Sequence, residues 1–202
     1  MQHKIISGLL AAGLCLATLP TQAADYTIDT KDAHAFIQFK ISHLGYSWLL
    51  GRFNHFSGSF SYDENNPAAA KVRVEIDVSS IDSNHAERDK HLRSKKFLDV
   101  ANYPKAEFVS TSFQELADGT AKLHGNLSLH GVTQPVTIDV TQIGSGTDPW
   151  GGYRRGFEGH TRFALADFGS DYNLGPASKE VELYLGIEGI RSDNKSRPRQ
   201  RR

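Results

Sequence analysis

The residues best equipped for chemistry lie between Ser83 and Ser94, where His85, Glu87, Asp89 and His91 are interleaved with Arg88, Lys90 and Arg93. Two histidines and two carboxylates are donors that zinc accepts, and a zinc-bound water beside a glutamate base is the core of many metal-dependent hydrolases. The spacing works against that reading. At about 100° per residue, histidines six apart point about 120° apart on a helix, whereas a helical zinc pair sits four apart on one face. The pairs that do share a face are His85 with Asp89, Glu87 with His91, and Asp89 with Arg93. The last is an ion pair worth about a few tenths of a kcal/mol on a solvated helix. A metal-dependent enzyme built on His85, Glu87 and His91 is therefore a rival reading. The others are a solvated helix closing one end of the fold, or one that offers Arg88, His91 or Arg93 to a ligand's polar head. No Gly-x-Ser-x-Gly elbow and no Gly-rich phosphate loop is present, so hydrolase and nucleotide chemistry lack their usual signatures. No cofactor is expected.

The elements that must position these residues are strands. Apolar and polar residues alternate over 26–29, 34–43, 53–62, 71–80, 106–113, 122–130, 136–143, 154–165 and 179–190. Side chains on a strand point alternately to its two faces, so each run presents one apolar and one polar face. The period changes over 83–100, where the Asn84 and Glu87 pair predicts a capped helix. Residues 43–51 break the alternation and read as a loop or one helical turn capping the fold. Residues 144–152, with Asp148, Pro149 and Trp150, read as a long mobile loop. The expected fold is all-β, about nine antiparallel strands closed into a barrel with one main helix. A barrel of about eight strands is just wide enough for one small ligand.

Composition narrows the setting. Lys4 precedes an apolar run from Ile5 to Leu19 and then small residues up to Ala23, which predicts a secretory signal peptide over 1–23, cut after Ala23. Cys15 follows Leu14, not the small residue a lipoprotein signal wants, and the mature chain holds no cysteine for disulfides or thiolate metal sites. Residues 24–190 read as one domain. Within 25–190 there are 16 basic and 22 acidic residues, which argues against nucleic-acid binding. Residues 191–202 hold six basic residues and read as a disordered tail with at most weak contact to an anionic membrane surface.

Several segments then carry a resemblance: His43-Leu44-Gly45-Tyr46-Ser47-Trp48, the run from Ser83 to Ser94 followed by Phe97-Leu98-Asp99 and Tyr103-Pro104, Gly131-Val132-Thr133-Gln134-Pro135-Val136, Asp148-Pro149-Trp150-Gly151-Gly152 and Leu174-Gly175-Pro176-Ala177-Ser178. Together they resemble the periplasmic YceI family from Asp25 to Ile190. The resemblance implies an extended, lipocalin-like antiparallel barrel, secreted to the periplasm, that encloses a long isoprenoid or similar amphiphilic lipid and has no catalytic centre.

The strand parity nominates Phe39, Ile41, Phe56, Phe60, Ile76, Phe108, Leu127, Leu129 and Phe163 as pocket lining, with His43 and Trp48 near the entrance. Gly58, Gly125 and Gly159 interrupt the inner faces and would leave slots opposite aromatics for a thin chain. A stress-related structural protein with a filled barrel is the other alternative. Exposed edges and the 43–51 segment could support a homodimer, though no residue argues for one.

Overall fold

The computed structural model describes residues 23–192, except Ala33 and residues 171–174. The expected leader up to residue 22 and the tail from residue 193 lie outside the described residues. Eleven strands form, most of them from the alternating runs: β1 (Ala24–Ile28), β2 (Phe36–His43), β3 (Ser47–Phe53), β4 (Phe56–Tyr62), β5 (Lys71–Asp77) and β6 (Ile81–Asp82) precede the one α-helix among the described residues, α1 (Ala86–Arg93). The remaining strands are β7 (Lys105–Glu115), β8 (Thr120–Leu129), β9 (Val132–Thr147), β10 (Tyr153–Ala164) and β11 (Glu180–Arg191). All pairings are antiparallel, and the order β1-β4-β5-β7-β8-β9-β10-β11 closes through β1 on β11 into an eight-stranded barrel.

The register explains how the barrel is extended. β1 pairs with the end of β11, Ile28 opposite Gly189, while β2 pairs with its beginning, from Val181 opposite Ile41 to Gly186 opposite Phe36. β1 and β2 thus follow one another along the same neighbour. β4 and β3 continue alongside them, and β5 and β6 pair with β4 and β3 in turn. The result is two storeys, one built around β1 and β4 and one around β2 and β3.

Four expectations are corrected. The 43–51 cap is a hairpin: His43 accepts from the Tyr46 amide at 2.9 Å, and Leu44 and Gly45 take φ of 54° and 83°, the left-handed pair that a tight hairpin turn requires. The strand that follows escapes a search for alternation because Trp48 and Leu50 put apolar residues on its outer face too. The 144–152 loop is strand over its first four residues, since β9 runs to Thr147, and the rest is a turn organised by the Asp148 carboxylate, which accepts from the amides of Trp150 and Gly152 at 2.9 and 2.8 Å. The helix is shorter than 83–100, and its N-cap is His85, whose Nδ1 accepts from the Arg88 amide at 3.2 Å, so Asn84 does not cap it. Lastly, β11 includes Arg191, one residue beyond the expected boundary.

Candidate functional site

The two storeys differ in how they are filled. In the β1/β4 storey aromatic rings pack into a plug: Tyr26 stacks on Phe60 at 4.7 Å between centroids, Phe60 meets Phe157 edge-on at 5.6 Å, and Tyr62 lies against Phe113 and Phe157. Arg155 is buried beneath it, its guanidinium 4.4 Å from the Tyr62 ring centroid and bonded to Gln142 and Glu64. Burial, together with the hydrogen bond it donates to Glu115 at 2.8 Å, pushes the Tyr62 phenol up to about 12.

The β2/β3 storey is hollow. Its cavity measures about 360 Å³, within the usual range of about 300–1,000 Å³ for sites that hold small molecules. Phe39 and Ile41 of β2, Leu49 and Phe53 of β3, and Val181 and Leu183 of β11 form one side. Ile76, Ala106, Leu127 and Leu129 form the other, and Phe163, Leu165 and Phe168 continue the wall. Leu92, Phe97 and Leu98, from α1 and the segment after it, close it over.

Polar groups at the wall are few and mostly committed. Ser178 Oγ donates to the Ser42 carbonyl at 2.5 Å and accepts from the Leu44 amide at 3.3 Å. His130 Nδ1 donates to the Phe168 carbonyl at 3.2 Å. Arg88 donates through Nε and Nη2 to Ser83 Oγ and the Ser83 carbonyl at 2.7 and 2.6 Å, while the buried Asp89 carboxylate accepts from the Ser83 amide and hydroxyl at 2.9 and 2.5 Å. Arg93 reaches the carbonyls of Ser79 and Ile81. The charged residues of α1 therefore staple the helix to 79–83, over one end of the barrel. His43 and His91 are exposed and lie at the rim.

Of the residues nominated by parity, Phe39, Ile41, His43, Ile76, Leu127, Leu129 and Phe163 line the cavity. Phe56, Phe60 and Phe108 face inward as core residues but do not line the cavity: Phe60 packs into the aromatic plug, and Phe108 lies over Gly125. Trp48 is a second correction: it points outward, 60% exposed, with Lys40 Nζ 4.2 Å from its ring centroid. The glycine slots are a third. A Cβ on Gly125 would lie 2.3 Å from the Phe108 ring, and one on Gly58 would lie 2.6 Å from the Arg73 carbonyl and 2.8 Å from Ile28. Aromatic and aliphatic side chains already occupy that space. Leu49 was hidden with its strand and Phe53, expected to open the 53–62 strand, ends β3 instead, whereas Leu92, Phe97 and Leu98 were visible only as spaced apolar positions in the charged segment.

The metal set does not assemble. His85 caps α1, Glu87 is exposed, and the His91 ring meets Phe97 edge-on at 4.8 Å. Among the described residues the one metal-compatible trio is Asp29, His34 and Glu188 at the far end, where Arg154 Nη1 sits 2.7 Å from Asp29 and 2.5 Å from Glu188. A guanidinium in that position makes the cluster an ion-pair hub.

The YceI-like domain family matches residues 26–189. A UPF0312 protein of Pseudomonas aeruginosa is 58% identical and one of Shewanella baltica 53%, each over 95% of this chain and 100% of the relative. Among solved structures, BcnA of Burkholderia cenocepacia superposes with a TM-score of 0.70 at 21% identity, covering 80% of this chain and 98% of that one. A polyisoprenoid binding domain from Saccharophagus degradans, implicated in plant cell wall breakdown, superposes with a TM-score of 0.61 at 17% identity, covering 84% and 99%.

Proposed function

This chain belongs to the YceI-like domain family, and on that premise we propose that it binds a polyisoprenoid or similar amphiphilic lipid in the hollow storey of its barrel. The reading extends to a periplasmic protein, released from its leader, that sequesters or carries the lipid without transforming it. The observation that carries it is the apolar cavity of about 360 Å³ with polar residues gathered at its rim. Each methylene buried there stabilises binding by about 0.8 kcal/mol, so a few isoprene units outweigh the entropy lost on association. The head then lies toward His43 and His91. That one solved neighbour with the same fold is a polyisoprenoid binding domain supports the ligand class.

The test is a titration of delipidated protein with farnesol, followed by displacement of an apolar fluorescent dye. Ala106 is a small residue in the cavity wall, and Ala106→Phe is expected to weaken binding at least about tenfold by filling the space. His85→Ala is expected to bind as the parent does. Binding that survives Ala106→Phe, or stoichiometric zinc whose loss on His85→Ala abolishes a hydrolytic activity, would sink the proposal.

A further inference from the structure

The hairpin of β2 and β3 carries an apolar strip on the outside of the molecule, at the same end as the cavity mouth. Leu44 is 51% exposed, Tyr46 86%, Trp48 60% and Leu50 65%. Trp48 and Leu50 alternate outward against Leu49, Gly51 and Phe53, and β6 pairs only with Arg52 and Phe53, so residues 47–51 form a sheet edge among the described residues. Monomeric proteins rarely leave so much contiguous apolar surface uncovered without a use for it. The residues around it are basic. Lys40 lies over the Trp48 ring. Lys90, Lys95 and Lys96, all exposed, flank the wall residues His91, Leu92, Phe97 and Leu98, and Lys179 follows the Ser178 that anchors the hairpin tip. Glu182 is paired with Lys40 and Arg162, Glu180 with Arg162, and Asp89 is buried against Ser83, which leaves Glu87 as the exposed carboxylate on α1. A basic rim stands out on a body that holds 16 basic and 22 acidic residues over 25–190.

We propose that this end of the barrel docks on an anionic lipid bilayer, with Leu44, Tyr46, Trp48 and Leu50 in the interface and the lysines against the headgroups, so that the cavity opens toward the membrane. Tyrosine and tryptophan favour the bilayer interface because they join an apolar ring to a polar tip. Lysines beside them gain from the negative surface potential while their stems lie along apolar surface. The proposal rests on the lipid-binding reading in one respect: an insoluble cargo gives the mouth a reason to face a bilayer.

Trp48 and Trp150 are the two tryptophans of the chain, at opposite ends of the barrel, and each can report alone. Delipidated Trp150→Phe protein, mixed with vesicles of equal parts phosphatidylglycerol and phosphatidylcholine, is expected to show a blue shift of Trp48 emission that salt reverses. Trp48→Phe protein is expected to show no shift of Trp150. Lys95→Glu/Lys96→Glu, made in the Trp150→Phe background, should lower vesicle affinity by roughly tenfold or more. All variants alter exposed side chains, and unchanged thermal unfolding will show that they fold. Four results overturn the proposal: no Trp48 shift, an equal shift of Trp150, equal binding to phosphatidylcholine vesicles, or a Trp48 shift that tracks protein concentration without vesicles, which assigns the strip to a second copy. Docking by a protein from which no lipid can be extracted would break the functional reading and leave this surface standing.

Discussion

At the scale of single residues, the polar far end of the barrel contributes to how the molecule responds to pH. Burial alone would raise the Asp29 carboxyl, but hydrogen bonds from Arg154, His34 and the Asp32 amide together hold it below the ordinary carboxylate range. A depressed folded value contributes stability that is present above the unfolded value near about 4 and lost as pH falls through the folded one. Thermal unfolding below about pH 4 should therefore show a falling limb that Asp29→Asn flattens; an unchanged limb would mean that other carboxylates dominate. Arg154→Met leaves the Asp29 side chain, 2% exposed, without its guanidinium, and is expected to cost about 3 kcal/mol in denaturant unfolding. Tyr62 has the opposite sign. Its contribution is complete below the unfolded tyrosine value of about 10 and fades as pH rises toward its folded value of about 12. None of this was legible in the sequence, because Asp29, Asp148, Arg154 and Glu188 meet only through the closure of β1 on β11.

At the scale of elements, the barrel relies on rings laid over glycines of neighbouring strands: Phe108 on Gly125, Phe39 on Gly51 and Phe60 on Gly189. A Cβ at Gly125 would lie 2.3 Å from the Phe108 ring and 2.7 Å from the Val109 carbonyl. Gly125→Ala is thus expected to destabilise by about 1–3 kcal/mol, whereas Gly144→Ala, with open space around its Cβ, should change little. Equal effects in equilibrium denaturation would contradict the seating. Most strands were legible because one face is wet and one is dry, as in β5, where Val72, Val74 and Ile76 alternate with Lys71, Arg73 and Glu75. β3 was not, since its outer face is apolar as well. The seven lining residues found by parity share an inner face, and the three aromatics misplaced with them, Phe56, Phe60 and Phe108, share it too. What separates the groups is packing against neighbouring strands, such as Phe108 over Gly125 and Phe60 against Tyr26, which depends on pairings distant in sequence.

At the scale of the whole molecule, a closed eight-stranded barrel is packed solid in one storey and hollow in the other. The aromatic plug and Arg155 make the closed end, while α1, the β2–β3 hairpin and the segment 94–98 surround the open one. Because the cavity is a void in an otherwise packed core, filling it should not harm the fold. Ala106→Phe is expected to leave stability unchanged or raise it by about 0.5–2 kcal/mol while it removes lipid capacity; a large loss of stability would mean that the space is already filled by side-chain motion. The most direct measurement is native mass spectrometry of the intact protein purified from cells without detergent. An equimolar adduct with the mass of an isoprenoid-type lipid, absent from Ala106→Phe, is the predicted result. A bare chain at its sequence mass in both proteins would contradict the account.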